Sequence, residues 1–537
     1  MPLRLLIPPL FLAVPLALPL VSQNTLATID GKVVNAVTGQ AIKKAVVTVR
    51  NGNGQQSYFA ASGADGKFHI ENVQPEKYVA TATAEGFANA QFAAGVKPFT
   101  VSGQQPVSGI EIRLAPLSVI AGKVTDDADQ PLDGVSVMAM RYNYSGDTKT
   151  LQPVGSAQTD DRGQYRMFDL QPGRYYLMAS TQYRGASSYG DSDRVHSTVP
   201  EQGYGALVYP GVSDVSETSP HELKPGDEWM GANFRMHMRP AYHIRGNVAA
   251  SPARANVQVQ QCSPTLLPGR NLPAMMGRQD GRFDVVGAVS GTYCMTVIEA
   301  GRGGVAARRT VTVKDGDVND VVLTPEAPLS VAGTIAIDGT PPAKMPGMNI
   351  VLRADENFQA RGQMKSDNTF QIENVYPGRH IITMSLGQAL YIKSMTYGSE
   401  DVSSGVIPNV QPGVSLNIVL GTDPGEIDGT VQLGSLASGA PVRLVALPDS
   451  AHAARNDLIR YGSAGAEGSF TLNGLAPGDY KVYALEQRDN EDMMNRDLLK
   501  ALEDRATQVT VHAAGHEQIS VTPISAGEIA KALEKVQ

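Results

Sequence analysis

Along most of the chain, apolar and polar residues alternate in short runs, and Gly, Pro, Asn and Asp cut the runs apart. Ala45-Val46-Val47-Thr48-Val49, Ile110-Glu111-Ile112-Arg113-Leu114, Val318 to Leu323, Leu416-Asn417-Ile418-Val419-Leu420 and Pro441-Val442-Arg443-Leu444-Val445 are of this kind. A period of two over so few residues predicts a strand with one face buried, and the turn formers predict antiparallel neighbours. Three stretches break the pattern. Leu5 to Val21 is apolar throughout, follows the single charge of Arg4, and is interrupted by Pro8, Pro9, Pro15 and Pro19. This predicts a signal peptide over residues 1–27, with an uncleaved anchor as the alternative. Asn490 to Ala506 carries Met493, Met494, Leu498, Leu499 and Leu502 at helical spacing, which predicts an insert helix packed by its apolar stripe. Ala526 to Val536 is read as a second short helix or a frayed end.

The strand runs recur in a larger unit. Each unit opens on a Gly inside an apolar segment, at Gly31, Gly122, Gly246, Gly333 and Gly429, so the steps are 91, 124, 87 and 96 residues. A turn and a ring follow downstream: Asp65-Gly66-Lys67-Phe68, Asp161-Arg162-Gly163-Gln164-Tyr165, Asp280-Gly281-Arg282-Phe283, Asp367-Asn368-Thr369-Phe370 and Glu467-Gly468-Ser469-Phe470. Ten residues after each ring comes Tyr78, Tyr175, Tyr293, His380 or Tyr480, just past a second turn such as Pro172-Gly173 or Pro477-Gly478. A unit of about 90 residues with several short strands suits a small two-sheet sandwich. A Gly inside a strand marks a bulge or a close backbone approach. The paired rings are expected to enter the core on neighbouring strands of a hairpin.

This succession of Gly-x-Val, Asp-x-Gly-x-Phe and Pro-Gly-x-Tyr resembles the carboxypeptidase regulatory-like domain, over nearly all of residues 28–523. The resemblance implies a transthyretin-like or prealbumin-like β-sandwich, of a kind found in arrays on exported bacterial proteins, and it implies no peptidase activity. The expected fold is all-β: a tandem array of about five small antiparallel sandwiches (Ig-like or prealbumin-like), with a short helical insert in the last. The boundaries read as 28–115, 116–240 with a long Tyr-rich insertion, 241–327, 328–423, 424–523 with the helical insert, and a tail over 524–537. The fourth unit departs from the pattern with Asn368 and His380, and the third lacks the Pro of the second turn. Both departures bear on loop shape.

Nine of the 19 tyrosines fall between Tyr142 and Tyr209. A tyrosine offers an apolar face with a polar tip, so Tyr183, Tyr189, Tyr204 and Tyr209 are read as a ligand-contacting loop, or as rings that pack the loop on its own sandwich. Cys262 and Cys294, the only two cysteines, stand in strands of one unit and are read as a disulfide, with two buried thiols as the alternative.

The totals exclude some chemistry. Lys+Arg 45 against Asp+Glu 53 gives a net charge of -8, which disfavours a nucleic-acid partner. His512 and His516 stand four apart without the Glu of a zinc helix, and Asp126, Asp127, Asp129 and Asp133 lack the Gly and closing Glu of a calcium loop. No metal site, cofactor or catalytic residue is expected. The function expected is that of a non-enzymatic exported binding or scaffold protein, secreted or periplasmic and associated with the cell surface. It would engage a polysaccharide or a cell-surface protein by adhesion through sandwich-end loops, with no integral membrane span once the signal is removed. The rivals are a purely structural spacer, and a hydrolase built in the second unit from His196 or His221 with Asp191, Asp193 or Glu201. The short joins between units (Ala115-Pro116, Arg239-Pro240, Asp423-Pro424) suggest a semi-rigid rod.

Overall fold

The computed structural model describes residues 26–536 apart from short internal stretches, the longest being 89–98, 182–200, 250–254, 300–304, 437–441 and 487–492. The expected signal peptide therefore lies outside the described residues, save for its last two. The first unit sets the plan: β1 (Ala27–Asn35), β2 (Val46–Asn51), β3 (Ser57–Ala61), β4 (Lys67–Val73), β5 (Glu76–Thr83), β6 (Phe99–Val101) and β7 (Val107–Leu114). One sheet runs β4-β1-β7 and the other β3-β2-β5-β6. Alternation does what the sequence requires of it: in β2, Val47 and Val49 are fully buried while Val46 and Arg50 face water. The same two sheets recur in every unit, each around one apolar core. The sheets are not wholly antiparallel. In each unit the opening strand pairs parallel with the closing one, as β1 does with β7.

The recurring Gly and the first ring form one lock. Gly31 is directly opposite Phe68, Gly122 opposite Tyr165, Gly246 opposite Phe283, Gly333 opposite Phe370 and Gly429 opposite Phe470. The ring lies over the glycine. A Cβ there would come within 3.0 Å of it in every unit, and closer still to a backbone carbonyl of the closing segment. Only hydrogen leaves room for the ring, so close approach is why the strand needs Gly. The turn glycine completes the lock. Its carbonyl, or that of Asn368 in the fourth unit, accepts from the backbone N–H two residues past the strand glycine: Gly66 from Val33, Gly163 from Val124, Gly281 from Val248, Asn368 from Ile335 and Gly468 from Val431, at 2.8–2.9 Å. Gly66 has φ +75° and Asn368 has φ +61°, so the fourth unit keeps the turn with the residue that best tolerates that conformation after Gly.

The two rings do not share a hairpin. Phe68 lies on β4, which pairs β1, while Tyr78 lies on β5, which pairs β2 and β6. The segment between them crosses from one sheet to the other, and so does its counterpart in each of the other units. The second ring therefore faces the first across the core instead of lying beside it. Two devices turn the corner. Four residues past the first ring stands a left-handed residue, Asn72, Asp169, Gly287, Asn374 or Gly474, where the ladder slips register. Then the hydroxyls of Tyr175, Tyr293 and Tyr480 donate back to the carbonyls of Gln171, Val289 and Ala476, four residues earlier, bracing the crossover as a tyrosine corner does. His380 has no hydroxyl, and its Nδ1 pairs with the Gly378 carbonyl instead.

The fifth unit ends in helices. Asn495 caps α1 (Arg496–Ala501), which buries Leu498 and Leu499, with Leu502 just beyond. A capping box of Ser525 and Glu528 starts α2 (Ala526–Leu533). Together they cover the outer apolar face of the second sheet, over Val445, Tyr483 and Leu485. Met493 and Met494 both precede the cap, outside the helix; Met493 still packs on this cluster, whereas Met494, expected in the same stripe, is exposed.

Candidate functional site

The units differ most in one place. The connection from the fifth strand of the plan to the sixth spans 84–98, 182–220, 300–304, 385–405 and 487–506 in the five units. The Tyr-rich insertion and the helical insert thus occupy equivalent positions, a correspondence that becomes visible only when the strands are aligned. Rigid sheets carrying one variable connection are the usual layout for recognition.

In three units this connection reaches another unit. In the second, Gln202–Tyr204 pairs antiparallel with Met238–Pro240 at the start of the third, and the Glu201 carbonyl accepts from Ala241 at 2.8 Å. Glu201 then lies 3.5 Å from His243, whose Nδ1 is 2.7 Å from Asp284; Arg245 joins Asp284 to Asp317. Hydrogen bonding to Asp284 raises the His243 pKa above 6.5, against the opposing effect of burial. In the fourth, the connection meets Arg455 of the fifth. That guanidinium is 2% exposed, is paired with both oxygens of Asp457 at 2.7 Å, and donates to the carbonyls of Ser403 and Ile392. In the fifth, Asp497 of α1 lies 2.8 Å from Lys149 of the second unit. The last contact sets the fifth unit against the second.

Of the four tyrosines singled out, Tyr183 and Tyr189 lie outside the described residues. Tyr204 and Tyr209 are partly buried against the core of the second unit. Tyr209 meets the edge of Trp229 at 5.1 Å and Phe234 at 5.8 Å. The outer sheet face beside them is also dry: Met138, Met140, Tyr176 and Met178 are covered by Ala206, Val208 and Val215 of the insertion. Tyr142 carries the Lys149 ammonium 4.3 Å over its ring. Two polar clefts border the inserts. One, of about 260 Å³, opens between the second and third units beside Asp214, Glu217, Arg239 and Gln261. The other, of about 340 Å³, lies between the fourth and fifth beside Arg455.

The remaining titratable groups are engaged elsewhere. His221 stacks on Trp229 at 3.8 Å, and burial lowers its pKa. Glu201 is with His243, whereas His196, Asp191 and Asp193 lie outside the described residues. His512 sits 2.8 Å from Glu517. His516 gathers instead with Glu426 and Asp428 on the outer face of the fifth unit, a neighbourhood set by register across the sheet. Asp126 caps its own turn through Ala128 and Gln130, Asp127 pairs with His237 and Asp129 with Arg235. Cys262 and Cys294 are joined by a disulfide, with Cα atoms 5.7 Å apart. No helix among the described residues is long and apolar enough to cross a membrane.

Residues 28–115 and 119–195 match the sequence pattern of the carboxypeptidase regulatory-like domain. The two matches fall on the first two units, which are similar to that domain. The other three repeat the topology of these domains with the same glycine–ring lock. No curated protein matches the chain. Among solved structures, a streptococcal ancillary pilin is similar at 12% identity, over 56% of this chain and 99% of its own, with a TM-score of 0.19. The minor pilin GBS52 of Streptococcus agalactiae is similar at 12% identity, over 40% of this chain and 97% of its own, with a TM-score of 0.23. A variant of BcpA, the major pilin subunit of Bacillus cereus, is similar at 8% identity, over 93% of this chain and 98% of its own, with a TM-score of 0.16. Scores and identities this low carry no inference about what this chain does.

Proposed function

We propose that the protein is an exported, non-enzymatic scaffold that engages a polysaccharide or a cell-surface protein through the variable connection of its second unit. The observation that carries this reading is that variation among the five sandwiches is largest in this one connection, from 300–304 in the third unit to 182–220 in the second. The disulfide supports export, since such bonds persist in oxidising compartments. The rival reading, a spacer that binds nothing, is favoured by one specific fact: the inserts of the second, fourth and fifth units are partly spent on holding other units. Binding of the purified mature chain to envelope polysaccharides and to intact cell surfaces separates the two. Alanine at Tyr183 and Tyr189 together is expected to weaken binding roughly tenfold or more, at the scale of losing anchoring aromatic contacts. A wild-type protein that binds no envelope component would leave the spacer standing.

A further inference from the structure

The cleft between the second and third units has features that neither sandwich needs for folding. Its walls come from three places: Asp214 and Glu217 from the insertion, Arg239 from the join, and Gln261 with Thr292 from the third unit. Gln261 is 9% exposed, and its side-chain oxygen has no hydrogen-bond partner. A buried amide oxygen left unpaired is destabilising, so it is kept where something else supplies the donor. Asp214 spends one oxygen on capping Ser216. Its other oxygen takes no part in that cap. Arg239 is exposed and makes no ion pair among the described residues.

The mixture of charges narrows the occupant. Asp214 and Glu217 repel an anion, and Arg239 repels a cation, so a ligand of either sign meets opposition on one wall. A neutral molecule rich in hydroxyls meets none. Each hydroxyl both donates and accepts, and the cleft offers acceptors in Asp214, Glu217 and Gln261 and donors in Arg239 and Thr292. The volume of about 260 Å³ falls just below the usual range for small-molecule sites, about 300–1,000 Å³. That suits one ring of a glycan and not an extended oligomer.

We infer that this cleft binds a single neutral sugar residue of a polysaccharide, with Gln261, Asp214, Glu217 and Arg239 reading its hydroxyls. The inference rests on the binding role proposed above and names the ligand class for that region of the molecule. The test is a microarray of neutral, uronic-acid-bearing and amino-sugar glycans, together with a lysine-rich peptide, probed with the full mature chain. The best neutral glycan is then titrated by calorimetry against wild type, Glu217→Gln, Arg239→Met and Gln261→Leu. The first two positions are exposed, so their variants are expected to fold as wild type does, and thermal melting checks all three. Selective retention on neutral glycans, with each variant weakening binding about tenfold, is the expected result. Preference for anionic glycans, for amino sugars or for the peptide would overturn it. So would neutral-glycan binding unchanged in Glu217→Gln and Arg239→Met but lost on alanine at Tyr183 and Tyr189, which overturns the cleft while leaving the binding role in place. Retention on no glycan at all also overturns the cleft, and binding to intact cells then decides the wider reading independently.

Discussion

His243 shows how much one side chain can hold at a junction. It stands between Glu201 of the second unit and Asp284 of the third, with Arg245 and Asp317 alongside. Its pKa is raised in the folded protein, first by the hydrogen bond to Asp284. A raised pKa means that the folded state holds the proton more tightly. The stabilisation is therefore complete below the unfolded value near 6.5 and is lost as pH rises through the folded value. Comparing wild type with His243→Gln by denaturant unfolding should show a difference at about pH 6 that shrinks by about pH 8. A difference that grows with pH would contradict the assignment. At this scale the sequence was most informative about the rings and turns, because a ten-residue spacing repeated five times has few causes. It was least informative about the left-handed corner residues. Asn72, Asp169, Gly287, Asn374 and Gly474 share no single identity, only a shared tolerance of positive φ. Their fixed offset of four from the ring was the available signal.

Between elements, the strand pattern was legible from period-two alternation, and the helical insert from its apolar spacing. The sheet-switching crossover was not, since alternation reports which face is buried and not which sheet a strand joins. Nor was the docking role of the inserts legible. Arg455 reads as an ordinary polar residue in sequence, yet it is buried against Asp457 and two carbonyls of the fourth unit. Replacing it by Met would leave the Asp457 carboxylate, 10% exposed, without its partner. The expected loss is about 3–5 kcal/mol, and adding Asp457→Asn should recover much of it. Chemical denaturation of the two variants checks both statements; equal losses in the single and double variant would mean that the pair itself is not what matters.

Over the whole molecule, the candidate site emerges only from long-range pairing. Tyr204 reaches the third unit, Asp497 reaches the second, and neither contact leaves a trace in local sequence. Small-angle scattering should accordingly report a chain shorter than five sandwiches end to end, and Lys149→Glu should lengthen it by setting two like charges against each other. The central claim is that each sandwich is closed by its own glycine–ring lock and stands as its own unit. Hydrogen exchange followed by mass spectrometry on full-length Gly31→Ala tests it most directly. A Cβ at position 31 has no room beneath Phe68, so overpacking should cost about 1–3 kcal/mol or more. Faster exchange confined to residues 27–114, with the other four units unchanged, is the predicted result. Exchange that is unaltered in β1 and β4, or that rises along the entire chain, would contradict it.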